Sequence, residues 1–169
     1  IEHAIGVGLQ CISSHPTIEG LHITGIGARN GDVGWGIRCE KSSPVIRNAY
    51  IYGISIGWLD GSGIGCYDGS NPLIVNLFVG LVSGDSPRGV CCASSSPTLI
   101  NATITEPDAG TQYWQSSGIV SCQNSHPVLI NTMITDHVYG VRCVTGGSIT
   151  HPIAISGTAS LPIISARQI

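Results

Sequence analysis

Charged residues are scarce in this sequence. Only 10% of the 169 residues are charged, the net charge is −3, and Lys41 is the single lysine. A nucleic-acid-binding surface needs a basic patch or stripe, so this composition argues against a nucleic-acid partner. No run approaches the roughly 18 consecutive apolar residues that a transmembrane helix requires. We therefore expect no membrane insertion.

Helical patterns and interdomain linkers are also lacking. Apolar residues alternate with polar ones in short runs, which are separated by Gly, Ser-Pro or Asn. Such runs are typical of β-strands, and none has the length or the three-to-four-residue spacing of an amphipathic helix. The length and the absence of a linker indicate a single domain over residues 1–169.

The sequence does contain a repeat, which is clearest at residues 36–51. Aligned on its cysteine, the unit recurs at spacings of 28, 27, 26, 30 and 21 residues. A proline follows five or six residues after each of the first five cysteines, and Gly20 or an asparagine stands four residues after that proline. Fixed spacing inside the unit with variable spacing between units is typical of a solenoid with adjustable loops. The six cysteines are Cys11, Cys39, Cys66, Cys92, Cys122 and Cys143.

Each unit predicts three short strands, and one coil of three strands cannot bury its apolar residues alone. Successive coils must therefore stack, with strand pairing to strand at a spacing of about 4.8 Å. We expect an all-β, single-stranded, right-handed parallel β-helix of about six coils. Stacking places the cysteines in one interior column and the isoleucines in others. An asparagine column is expected at the bend between the second and third strands, where the side-chain amides would donate and accept along the stack and satisfy buried bend groups.

The motif Gly-Ile-x-Cys-x-x-Ser-Ser-Pro-x-Ile-x-Asn-x-x-Ile, over roughly residues 5–143, resembles a known repeat family. It is similar to the right-handed parallel β-helix repeats common in bacterial secreted and cell-surface proteins, which include pectate lyases, polygalacturonases, alginate epimerases, adhesins and phage tailspikes. The resemblance implies an extracellular or cell-surface location. It does not imply one activity, because this fold hosts many functions.

Catalytic signatures of these enzymes are missing from the sequence. Resemblance to pectate lyases implies an acidic cluster on the outward face of a strand, and Glu40 is the single carboxylate expected there. The Gly-His-Gly signature of polygalacturonases and the Asp-Pro-His motif of alginate epimerases are absent. His15, His126 and His151 each precede a proline and are interpreted as turn residues.

Six of the seven cysteines are expected in one column, pointing the same way. Parallel stacked neighbours lack the facing geometry of a disulfide, so we predict buried free thiols. Cys91 neighbours Cys92 in a strand and must point outward. It is either a reactive or intermolecular thiol, or a thiol partly covered by a loop.

The predicted loops all leave from one corner of the solenoid and collect aromatic and acidic residues at one edge. This edge is the predicted ligand-binding site, and a polysaccharide is the ligand class considered. The aspartates can be read as Ca²⁺ ligands, as an acid and base of a polysaccharide lyase or hydrolase, or as turn residues. The candidates are Trp35, Trp58, Tyr113, Trp114, Asp32, Asp85, Asp108 and Asp136.

An apolar strip is predicted on the outer face of the second strands, from the third coil onward. Bare apolar strips of this kind are unusual in soluble monomers, so a neighbouring subunit, another segment of a longer protein or a loop should cover it. Its residues are Leu73, Val75, Ile100, Val128 and Ile130. Outward aromatic residues of the third strands, such as Tyr50 and Phe78, can stack on sugar rings or simply reflect β propensity.

The preferred function is that of a noncatalytic extracellular or cell-surface module for self-assembly or adhesion, with a possible glycan contact at the loop edge. A polysaccharide lyase or hydrolase that uses the loop aspartates is the alternative. No cofactor is assigned apart from the open question of Ca²⁺. No end cap is visible at either terminus, so we expect a segment of a longer protein or end-to-end assembly.

Overall fold

The computed structural model describes residues 1–27, 33–55, 61–84, 86–106, 116–137, 139–149 and 154–155. Among these residues every regular element is a β-strand. In chain order the strands are β1 (Val7–Ile12), β2 (Thr17–Glu19), β3 (His22–Ile26), β4 (Trp35–Glu40), β5 (Val45–Ser55), β6 (Ser62–Tyr67), β7 (Leu73–Ser83), β8 (Arg88–Ala93), β9 (Thr98–Thr105), β10 (Ser117–Cys122), β11 (Val128–Thr135), β12 (Tyr139–Val144) and β13 (Ala154–Ile155).

The strands form two parallel sheets. The first has the order β1-β4-β6-β8-β10-β12 and the second β13-β11-β9-β7-β5-β2, with β3 also paired to β5. The first coil comprises β1 to β3. The second to fifth coils each comprise one strand from the first sheet and one from the second, and they end at β5, β7, β9 and β11. This is the all-β parallel solenoid that the repeat predicts, so the fold class is confirmed. Complete coils are fewer than the six expected, because the sixth repeat adds β12 and, within the described residues, only the two-residue β13.

An asparagine bends each long strand of the second sheet. Where the sequence predicts two separate strands per coil, β5, β7, β9 and β11 are continuous, and each contains one left-handed residue at the predicted bend. Asparagine tolerates this backbone region better than most residues do, and glycine fills the same place in the first coil. The residues and their φ angles are Gly20 (67°), Asn48 (56°), Asn76 (57°), Asn101 (55°) and Asn131 (48°).

The four asparagines form a ladder up the outside of the solenoid. Asn131 Nδ2 donates to Asn101 Oδ1 at 2.8 Å, Asn101 Nδ2 to Asn76 Oδ1 at 3.1 Å, and Asn76 Nδ2 to Asn48 Oδ1 at 2.8 Å. Because the first coil has no asparagine here, Asn48 Nδ2 donates to Glu19 Oε1 at 2.5 Å. All four side chains are exposed. The expected hydrogen bonding along the stack is therefore confirmed. The expectation that the amides satisfy buried groups is wrong, because they lie at the surface.

The interior is filled by columns of equivalent aliphatic residues, as the repeat predicts. In the second to fifth coils these residues are fully buried, with one column in the first sheet and two in the second. Like stacks on like because neighbouring strands pair in register. The columns are Ile37, Ile64, Val90 and Ile119; Ile46, Ile74, Leu99 and Leu129; and Ile51, Val79, Ile104 and Ile134.

A glycine column lies where the first-sheet strand of each coil begins. The backbone of these glycines is not left-handed. Glycine is required because the adjacent coil leaves no space for a side chain. A Cβ at Gly36 would lie 2.6 Å from the carbonyl oxygen of Gly63, and a Cβ at Gly89 would lie 2.7 Å from that of Gly118. Real Cβ atoms do not approach backbone this closely, so any side chain would push adjacent coils apart.

The cysteine column is confirmed in four successive coils, where Cys11, Cys39, Cys66 and Cys92 are register partners. Together with Cys91 and Cys143, they are buried thiols that form no disulfide. Burial raises the pKa of Cys11 to about 11, and the pKa of Cys39 is raised further by the neighbouring thiol and by burial. Cys11 and Cys39 therefore stay protonated at neutral pH and behave as apolar residues.

The expectation that Cys122 continues the cysteine column is wrong. Ser121, and not Cys122, pairs with both Cys92 and Cys143. The extra residue between strand and proline is absorbed in the turn after β10, where Gln123 and Asn124 both have positive φ angles of 52° and 60°. The spacing from the glycine therefore sets the register of each coil, and the spacing from the cysteine to the proline does not.

A buried serine ladder joins the turns between the two sheets. In the second to fifth coils the serine two residues before the proline accepts a hydrogen bond from the backbone N–H of the equivalent serine one coil earlier, at 3.0 to 3.1 Å. The hydroxyls of Ser42, Ser70 and Ser95 also donate to backbone carbonyls of their own coil. This ladder was not predicted from the sequence.

A second ladder runs along the outside of the same turns, through the residue just before the proline. Here the backbone N–H belongs to the later coil: Ser43 donates to His15 Nδ1 at 2.9 Å, and Asn71 donates to Ser43 Oγ at 3.0 Å. His126 donates its N–H to Ser96 Oγ at 3.0 Å. The interpretation of His15 and His126 as turn residues is confirmed, while His151 lies outside the described residues.

Replacing Ser70 with alanine should destabilise the fold by about 1–3 kcal/mol. The change leaves the fully buried backbone N–H of Ser42 without an acceptor, because Ser70 Oγ is its partner at 3.1 Å. A buried donor without a partner costs about this much. Ser43→Ala is the matched control, since water can reach the Asn71 N–H that it would expose. Urea denaturation should show a clearly smaller loss for Ser43→Ala; equal losses would contradict the role given to the buried ladder.

Candidate functional site

Most of the predicted loop-edge site lies outside the described residues. Only Trp35 and Asp136 of that set can be placed, so the ligand-binding role of the set stays a prediction. The candidates that cannot be placed are Trp58, Tyr113, Trp114, Asp32, Asp85 and Asp108.

Trp35 is the first residue of β4, not a loop residue, and it is half-buried. The Arg38 guanidinium carbon lies 4.5 Å from the centre of its indole ring. The same guanidinium forms an ion pair with Glu40. Cation–π contact therefore covers one side of the indole, and Arg38 has its charge balanced within its own strand. Glu40 thus acts as the counter-ion of Arg38.

The outer face of the first sheet is closed at its centre by a compact cluster. Gly65 leaves room for two rings: a Cβ there would lie 3.1 Å from Trp35 Nε1 and 3.1 Å from Tyr67 Oη. Burial raises the pKa of Tyr67 well above its ordinary value. Cys91 occupies the next position of this face, in register with Gly65, and is 4% exposed. Its Sγ lies 3.8 Å from Arg88 Nη1. Cys91 is thus on the outward face, as predicted, but covered.

Asp136 sits in a turn with φ of 61° and is exposed. Its Oδ2 accepts a hydrogen bond from Thr105 Oγ1 at 3.2 Å, and Thr105 Oγ1 in turn accepts one from Thr135 Oγ1 at 2.8 Å. The carboxylate therefore ties the fifth coil to the fourth. This arrangement fits the turn interpretation of the aspartate, because its oxygen is used in a cross-coil hydrogen bond.

Glu106 and His137 form a buried pair that the sequence analysis missed. Glu106 Oε2 lies 3.3 Å from His137 Nδ1, and the two residues are 1% and 4% exposed. Burial raises the pKa of Glu106, and the neighbouring imidazole opposes part of that rise. Each residue follows the Ile-Thr that ends a long strand, Ile104-Thr105 or Ile134-Thr135, one position apart in the repeat. Their neighbouring places after the Ile-Thr are the one signal the sequence offers.

The aromatic row on the third-strand face is packed ring against ring. Tyr50 and Phe78 are stacked with centroids 5.0 Å apart and planes 8° apart, and His22 meets Tyr50 edge-on at 4.8 Å. Sugar rings bind to the open face of an aromatic ring, and the faces between Tyr50 and Phe78 are used by these contacts. The aromatic row therefore exposes ring edges to solvent. This favours β propensity over sugar stacking as the reason for these residues.

The predicted apolar strip does face outward. Leu73, Val75, Ile100 and Val128 are half-buried, and Ile130 is 43% exposed. The exposed face of β7, β9 and β11 contains no charged residue along these strands. Exposed aliphatic side chains without neighbouring charges are typical of a surface that binds another protein.

Comparison with protein-family models, with curated proteins and with solved structures found no match to this chain. The candidate sites must therefore be weighed on their geometry. Within the described ranges, no helix is long and apolar enough to cross a membrane. The same part of the chain contains no group of three or more His, Cys, Asp or Glu side chains arranged to hold a metal ion.

Proposed function

We propose that the chain is a noncatalytic module of an extracellular or cell-surface protein, and that it associates with further copies through the apolar strip. The observation that carries the proposal is the uncharged outer face of β7, β9 and β11, which presents the half-exposed residues of the strip and Ile130. Membership of the pectate-lyase-like group of β-helices, on the motif resemblance, is part of the same proposal.

The small size of the strip indicates weak association between single strips. It has five outward residues on three strands, and strands lie about 4.8 Å apart. An interface limited to it stays well below the roughly 1,000 Å² that a stable interface buries. Association through the strip would become strong only where many copies act together, as in a fibre or on a surface.

The enzymatic alternative has less support among the described residues. Asp136, the one candidate aspartate that can be placed, is hydrogen-bonded to Thr105 in a turn. The buried carboxyl of Glu106 is 1% exposed, so a polysaccharide could not reach it. Glycan contact at the loop edge remains a proposal that depends on Trp58, Tyr113 and Trp114.

Replacing Ile100 and Ile130 together with lysine should weaken self-association at least about tenfold. Each lysine places a charge where apolar surface would be buried, and tenfold corresponds to about 1.4 kcal/mol. Sedimentation velocity over a range of concentrations measures the association. The wild type should show an average mass that rises with concentration, and the double variant should not.

Val144→Lys is the matched control, because Val144 is 36% exposed on the outer face of the first sheet, away from the strip. It should associate like the wild type. A wild type that stays monomeric at every concentration, or a control that loses association as much as the double variant, would overturn the proposal.

A further inference from the structure

The Glu106–His137 pair lies where the fourth coil passes to the fifth, and the proposed function does not use it. Glu106 directly follows β9, and His137 lies between β11 and β12. The imidazole packs against the backbone of the glycine that opens β10: a Cβ at Gly118 would lie 3.3 Å from His137 Cδ2. The pair therefore connects the ends of two long strands to the start of the next coil.

The two side chains depend on each other electrostatically. Oε2 and Nδ1 are within ion-pair distance at 3.3 Å, yet Oε2 and both ring nitrogens lack an aligned hydrogen bond. A buried charge is costly unless an opposite charge offsets it. With one proton shared between them, the pair is either a carboxylate beside an imidazolium or two neutral groups. With no proton or two protons, it leaves one buried charge unopposed.

The charged groups on the adjacent described elements each have a contact outside the pair. On β8, Arg88 Nη1 lies 3.8 Å from Cys91 Sγ. Asp136 is exposed and accepts a hydrogen bond from Thr105. On β12, Arg142 lies over the ring of Tyr139, with its guanidinium carbon 5.6 Å from the ring centre. The start of β10 contributes serines and a glycine, which carry no charge.

We propose that Glu106 and His137 form a one-proton latch that keeps the corner between the fourth and fifth coils closed. Gain or loss of a proton loosens this corner, while the other coils are unaffected. The device makes this corner of the solenoid sensitive to pH.

The test is the free energy of unfolding between pH 4 and pH 10 for the wild type, Glu106→Gln, His137→Gln and the double variant. In His137→Gln the carboxyl has lost its partner and its pKa stays raised, so the unfolding equilibrium constant should increase by up to about tenfold per pH unit as pH rises. In Glu106→Gln a buried imidazolium would be unopposed, so the corresponding destabilisation should appear as pH falls. The double variant should be the least dependent on pH.

Hydrogen exchange locates the effect independently of global unfolding. The amide of Tyr139 donates to Ser116 O at 2.9 Å beside the pair, and the amide of Tyr50 donates to Leu21 O at 2.8 Å three coils away. After correction for intrinsic rates, protection of Tyr139 in the wild type should fall at both ends of the pH range while that of Tyr50 stays constant. If the double variant does not fold, this comparison decides alone. Parallel pH profiles for wild type and double variant, or equal pH dependence of both amides, would overturn the latch.

Discussion

Replacement of Gly89 by alanine should destabilise the protein by about 3 kcal/mol. The added Cβ would lie 2.7 Å from the carbonyl oxygen of Gly118 in the next coil and would also overlap Ile104 Cγ2. Overpacking in a core typically costs about 1–3 kcal/mol, and the upper end applies here because backbone cannot move aside as a side chain can. Chemical denaturation followed by far-ultraviolet circular dichroism measures the change.

Gly27→Ala is the control for the general effect of removing a glycine. A Cβ at Gly27 would meet no atom within 4 Å, and its backbone is not left-handed. We expect a change within about 0.5 kcal/mol, as for ordinary surface substitutions. If Gly89→Ala were no worse than Gly27→Ala, close contact between coils would not explain the glycine column.

Replacement of Asn101 by alanine should cost about 2–5 kcal/mol, although the side chain is exposed. Alanine at φ of 55° is strained by about 1–2 kcal/mol. The change also removes the bond from Asn101 Nδ2 to Asn76 Oδ1 and the bond that Asn101 Oδ1 accepts from Asn131. Each such bond contributes about 0.5–1.5 kcal/mol. Thermal and urea denaturation should agree on the loss.

Asn101→Gly separates the two causes. Glycine adopts the left-handed conformation without strain but also lacks the amide, so its loss should be clearly smaller than that of alanine. If the two variants are equally stable, backbone conformation does not select asparagine at the bend. If glycine is as stable as the wild type, the exposed amide ladder adds no net stability.

The fold was predictable because the repeat encodes it twice, in its aliphatic columns and in its turn residues. Alternation with period two fixed which residues point inward, and stacking then placed Ile37 over Ile64 as the register shows. The error at Cys122 arose from aligning coils on the cysteine. Gly118 and the two positive-φ residues after β10 show that the turn, not the strand, takes up an inserted residue.

The serine ladder could also have been predicted. Ser14, Ser42, Ser70, Ser95 and Ser125 each stand two residues before a proline, and this constant spacing was visible in the motif. A polar residue that recurs in a buried turn needs hydrogen-bond partners, and the neighbouring coil supplies them.

The Glu106–His137 pair could not have been predicted from the repeat, because neither residue recurs in other coils. Its two members are 31 residues apart in sequence, and only stacking of the fourth and fifth coils brings them within 3.3 Å. Repeats predict what all coils share. A site made from residues that differ between coils depends on loop length and local packing, and the repeated positions carry no information about either.

The serine ladder and the outer turn ladder point in opposite directions along the solenoid. In one, amide groups donate toward later coils, and in the other they donate toward earlier coils. Their dipoles thus oppose each other, unlike the peptide dipoles of an α-helix, which add up and charge its two ends. A stack of this design can therefore be lengthened coil by coil without accumulating axial polarity from these turns.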